Sequence, residues 1–138
     1  MRRYKILPHT AEWRIKVEGD SLEELFRVSM EAMTELMTQK SCADYPIQEV
    51  EKTISITADN ETVLLIDFLS EILTVMQTEK VVFCKIQFLN FSSTTLEAKI
   101  SGAKIVEFKE DVKAVTYHEA KIEKNSNGFY ETNLVFDI

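Results

Sequence analysis

Between Glu12 and Glu18, the apolar residues Trp13, Ile15 and Val17 alternate with Glu12, Arg14, Lys16 and Glu18. A period of two predicts a strand with one face on a core and the other in water. Glu12 belongs to the wet set. The period then changes. Ser21 with Glu24 three residues later forms a capping box. Leu22, Leu25, Phe26, Met30, Met33, Leu36 and Met37 follow at helical spacing. The methionine stripe reads as core filling before it reads as a docking groove. Ser41 to Gln48, which contains Pro46, is a loop. Val50, Ile54, Ile56 and Ala58 alternate with polar residues and predict a second strand. Asp59-Asn60 can cap a second helix near Glu61–Thr78. Val63, Leu64, Phe68, Leu69, Ile72, Leu73 and Met76 make that helix apolar nearly all round, so it should lie centrally.

The second half is strand-rich. Lys80–Phe91 and Thr94–Ser101 read as a hairpin turning between Asn90 and Thr94. Strands near Lys113–Lys124 and Phe129–Ile138 flank Asn125-Ser126-Asn127-Gly128, a strong turn signal. In the last strand Leu134 and Phe136 share a face and Asp137 takes the other. Two helices among strands, followed by hairpins, define an α+β fold: one mixed or antiparallel sheet system packed with two main helices. No linker or repeat divides the 138 residues, which are read as a single domain, 1–138.

Charge narrows the partners. A net charge of −7 disfavours direct nucleic-acid binding, because phosphate contacts need a basic patch. It suits cations or a basic protein surface. No apolar stretch is long enough to cross a bilayer. Met1-Arg2-Arg3-Tyr4-Lys5 is basic, but the apolar run of a signal peptide does not follow it. The expected address is the cytoplasm, with no membrane partner. Cys42 and Cys84 have no metal or redox spacing. Cys84 alternates with Val82, Ile86 and Phe88 and reads as a buried thiol, and no disulfide is expected.

No phosphate loop, GxSxG, HExxH or CxxC is present. Taken singly, His9 and His118 read as structural histidines near turns, and Lys113 as a solvated strand residue. Asp67 and Glu71, one helical turn apart, read as a solvated stripe before a catalytic pair. The chain ends are more informative. If the first and last strands pair, then Glu12, Asp137 and the main-chain carboxylate of Ile138 converge. An all-oxygen set of this kind suits calcium or manganese, and next magnesium, over zinc.

With these segments in view, the chain resembles the archease family. The resemblance rests on His9-Thr10-Ala11-Glu12, Ser21-Leu22-Glu23-Glu24-Leu25-Phe26 and Asp67-Phe68-Leu69-Ser70-Glu71-Ile72-Leu73. Lys113-Ala114-Val115-Thr116-Tyr117-His118 and Val135-Phe136-Asp137-Ile138 complete it. The ordered set spans nearly the whole chain. It implies a small α+β protein that is not itself an enzyme. It further implies an activator of the RtcB-type RNA ligase of tRNA splicing, which promotes ligase guanylylation and repeated turnover. tRNA would then be met only through the ligase. The resemblance places a divalent-metal site at Glu12, Asp137 and Ile138, and an activating role at Glu12, Lys113 and Asp137, with His9 and His118 as supporting candidates. One departure stands out. The family usually carries aspartate where Glu12 stands, so this carboxylate reaches outward by one more methylene. Arg14 adds a cation that competes for the same carboxylates. The alternative reading is a general chaperone-like modulator of RNA-processing or RNA-modifying proteins, with other clients. A metal-dependent hydrolase at Glu12 and Asp137 would lack an evident nucleophile or base.

Overall fold

The computed structural model describes residues 12–138. Strand β1 (Glu12–Gly19) leads into helix α1 (Leu22–Thr38), then a 3-10 turn (Cys42–Asp44) and strand β2 (Val50–Thr57). Helix α2 (Glu61–Glu79) precedes the long strands β3 (Val81–Phe91) and β4 (Thr95–Lys104). Short strands β5 (Ala114–Thr116) and β6 (Glu123–Lys124) come before β7 (Tyr130–Asp137). The α+β class is as expected. The strands form two antiparallel sheets, however, where one sheet system was expected. One has the order β1-β7-β5 with β6 also on β7, and the other the order β2-β4-β3.

Both helices start where their caps dictate. Ser21 Oγ accepts from the Glu24 N–H at 3.1 Å, and Asn60 Oδ1 from the Val63 N–H at 3.0 Å. Each satisfies a donor that the first helical turn leaves open. Both helices end on left-handed residues, Gln39 and Lys80, which lets a cap N–H close the last turn. Between the sheets and helices lies one core. Leu25, Phe26, Met30, Met33 and Met37 of α1 are fully buried, so the methionine stripe is interior. α2 buries Leu64, Leu65, Ile66, Phe68, Leu69, Ile72, Leu73 and Met76, as its all-round apolar pattern requires. Phe26 packs on Phe68 and Phe91 with ring centroids 5.5 and 5.1 Å apart.

Three expectations are corrected. The first concerns Lys113–Lys124, which is not one strand. His118 N–H donates to Thr116 Oγ1, Ala120 N–H donates to the Tyr117 carbonyl, and Glu119 takes a left-handed φ of 61°. That turn splits the run into β5 and β6, which both pair with β7. The second concerns Trp13, which faces the Phe136 side of its sheet yet remains 49% exposed. It lies on a groove of about 590 Å³ shared with Ile15, Ala32, Leu36 and Gln39, where α1 does not close over β1. The third concerns the cysteines. Cys84 is buried as expected, but Cys42 and Cys84 are bonded as a disulfide, with Cα atoms 5.5 Å apart. Cys84 is the extra residue of an irregularity in β3, where the register slips between Phe83 and Lys85. A bulge re-aims its side chain, and chain spacing carries no sign of that.

A carboxylate pair at one end of the first sheet

Three strands meet at the end of the first sheet. β1 and β7 pair along their full lengths, with Glu12 directly opposite Asp137 and Arg14 opposite Val135. On the other flank Ala114 of β5 is also opposite Asp137. Directly opposed residues of an antiparallel pair share a face, with Cβ atoms about 5 Å apart. The pairing therefore sets the carboxylates of Glu12 and Asp137 side by side, as the sequence led one to expect. Glu12 is exposed, while Asp137 and Ile138 are half-buried. Ile138 follows directly, so its main-chain oxygens lie one residue from the pair.

Lys113 comes to the same end. Its backbone N–H donates to the Asp137 carbonyl at 2.7 Å, and its side chain is exposed. The segment leading to it straps the C-terminal ends of both helices. Ile105 N–H bonds the Lys80 carbonyl, Lys109 and Glu110 N–H groups bond the Met37 carbonyl, and Gln77 Nε2 bonds the Val112 carbonyl. The bonds to Lys80 and Met37 occupy carbonyls that helix ends otherwise leave open, while Gln77 reaches out from α2 to a carbonyl of the strap. They also fix the approach of Lys113.

The remaining candidates fall elsewhere. His118 is exposed in the turn beyond Thr116, and so lies past the end of β5 that is remote from Asp137. His9 lies outside the described residues. Asp67 does not stand free beside Glu71, because it accepts the phenolic proton of Tyr117. That hydrogen bond, with some burial and the carboxylate charge, holds the Tyr117 pKa above its ordinary value. Asp67→Asn should therefore let Tyr117 ionise at lower pH, read as an earlier phenolate absorbance in an alkaline titration. An unmoved titration would show that the bond is not kept in solution.

Like charges directly opposite one another destabilise a sheet unless something offsets them. Here Arg14 does so. Its guanidinium lies 3.3 Å from Glu12 Oε2 and 2.6 Å from Glu119 Oε2. Glu119 had no sequence signal as part of this cluster, since only the left-handed turn after β5 brings it to Arg14. Among the described residues no three His, Cys, Asp or Glu side chains come together as a metal-holding group. The oxygen set at this end is thus two side-chain carboxylates plus main-chain oxygens of Ile138. In chemistry that is a hard-cation set, but its Glu12 arm is engaged by Arg14. Arg14→Ala should free that arm. If a divalent ion binds here, calcium or manganese should then bind the variant more tightly than the parent by calorimetry, by up to about fivefold, since an exposed ion pair is worth at most about 1 kcal/mol. Weaker binding in the variant would show that Arg14 supports the site.

Two helices covered by two antiparallel sheets, with an acidic pair and a lysine at one sheet end, define a small α+β protein whose distinctive chemistry lies at one tip. The chain belongs to the archease family: the model described as the Archease protein family matches residues 4–138. It is 33% identical to protein archease of Pyrococcus abyssi over the whole of both chains. It is 30% identical to that of Methanosarcina mazei, covering 99% of this chain and 97% of the relative. Its fold matches protein 1598 of Methanobacterium thermoautotrophicum with a TM-score of 0.73, at 27% identity over 96% of each chain. It also matches a Thermotoga maritima archease described as a possible chaperone, with a TM-score of 0.72, at 20% identity over 100% of this chain and 99% of that one.

Proposed function

We propose that this protein activates an RtcB-type RNA ligase in tRNA splicing, without itself making or breaking the RNA bond. The observation that carries the reading is the direct pairing of Glu12 with Asp137 beside Lys113, in a chain of the archease family. An acidic tip on a protein of net charge −7 complements a cleft that must be basic to hold RNA and nucleotide. Glu12, Asp137 and the main-chain oxygens of Ile138 would hold a divalent ion, with calcium or manganese preferred over magnesium. Such an ion supplies charge neutralisation near phosphate groups. Glu12 and Asp137 present the anionic face, and Arg14 sets how far Glu12 is available. Lys113, fixed through its backbone and exposed in its side chain, contacts a phosphate or an acidic ligase residue.

The test is turnover. With limiting ligase and excess broken RNA, joined product should exceed one per ligase only when this protein is added. Product that stays at one per ligase in its presence would remove the proposal. The description of the Thermotoga relative favours a second reading, a chaperone-like modulator with several clients. One dominant ligase recovered from lysate supports the first reading, and many unrelated proteins the second.

A further inference from the structure

The Cys42–Cys84 bond ties the connection between α1 and β2 to the irregularity in β3. Little else holds that connection. Among the described residues, the hydrogen bonds of Ser41–Gln48 all close on the segment itself. Asp44 N–H bonds the Ser41 carbonyl, Tyr45 N–H bonds the Cys42 carbonyl, Ser41 N–H bonds Asp44 Oδ2, and Gln48 Nε2 bonds the Tyr45 carbonyl. Its first bond to the sheet comes only at Glu49, whose Oε1 accepts from Lys104 N–H at 3.0 Å. Tyr45 packs against the core, but Ser41, Ala43, Asp44, Pro46 and Ile47 are exposed. A segment with few buried contacts and self-contained hydrogen bonds opens at low free energy once its tether is cut.

We propose that Cys42 and Cys84 form a reversible redox tether that sets the order of residues 41–49. Cys42, the more exposed of the two, is the entry point. Its thiolate attacks a small-molecule disulfide such as oxidised glutathione. That forms a mixed disulfide and releases one small thiol. Cys84 then gives up its proton and attacks the Cys42 sulfur. The Cys42–Cys84 bond forms and a second small thiol leaves. The protein loses two electrons and two protons, and one small disulfide becomes two thiols. Reduced glutathione reverses both steps. The tether closes a loop across a sequence separation of 42. The segment leaves α1 just after Met37, whose carbonyl anchors the strap that leads to Lys113. The strap thus links the end of α1, where this segment begins, to the backbone that leads into Lys113.

The experiment equilibrates the full chain in glutathione buffers of varied ratio. Peptide mass spectrometry reads the bond, and hydrogen exchange reads the segment. Between the oxidising and reducing ends of the series the bond should switch. Reduction should speed exchange of residues 41–49 by roughly tenfold or more, while α1 and β3 stay protected. It should also lower the thermal midpoint by roughly 10 °C, given the loop closed. Cys42→Ser should behave like the reduced protein in every buffer. The proposal is overturned if the bond never forms, if it persists at every glutathione ratio, or if exchange of residues 41–49 is the same in both states.

Discussion

Gly102→Ala is expected to cost the protein about 3 kcal/mol or more, a large share of the roughly 5–15 kcal/mol that keeps a domain folded. Gly102 sits in β4, the middle strand of the second sheet, opposite both Val50 and Phe83. A Cβ built there would stand 1.6 Å from the Val82 carbonyl oxygen, 2.6 Å from its carbon and 2.8 Å from the Phe83 Cα. All three neighbours are backbone in a paired strand, so none can turn aside. The close approach falls where β3 slips its register to accommodate Cys84. Gly128→Ala is the control. Nothing lies within 4 Å of its added Cβ, but its φ of 81° is left-handed. Its cost should be about 1 kcal/mol. Thermal melts of the two variants should therefore differ widely, with the Gly102 variant far lower or insoluble. Similar melts would mean that β3 and β4 pack less tightly at this point than the close approach requires.

Much of this architecture was legible because hydrophobic period and capping residues act locally. Ser21 and Asn60 announced both helices, and Asn125–Gly128 announced the turn into β7. The pairing of Glu12 with Asp137 was legible for a different reason. Alternation fixed which face each carboxylate takes, and the family resemblance suggested which strands meet. What stayed hidden depends on contacts distant in sequence or on irregular backbone. Alternation around Cys84 correctly predicted burial, but a bulge that aims its sulfur at Cys42 leaves no period to read. Trp13 alternates like a core residue, and only the reach of α1 decides that it stays half exposed. The left-handed turn at Glu119, which splits one expected strand and delivers a carboxylate to Arg14, has no glycine to mark it.

Lys113→Ala should separate function from folding. The Lys113 side chain is exposed, and its one described backbone bond, to the Asp137 carbonyl, does not involve the side chain. The substitution should therefore move stability by less than about 0.5 kcal/mol. Truncating one partner of a charged pair at an interface costs about 2 kcal/mol or more, so ligase activation should fall by roughly thirtyfold or more. Lys113→Arg should restore part of the activation if charge alone is needed, and little of it if a compact ammonium must enter a tight site. Normal activation by the alanine variant, or a large drop in its thermal midpoint, would take the lysine out of the proposed interface.

The proposed function requires the tip bearing Glu12, Asp137 and Lys113 to drive guanylylation of the ligase. The most direct measurement is the rate at which purified ligase takes up labelled guanylate, at matched GTP and divalent ion, with and without this protein. The rate should rise when the protein is present and fall back toward the unassisted value with Asp137→Ala. Equal rates with and without the protein would contradict the account.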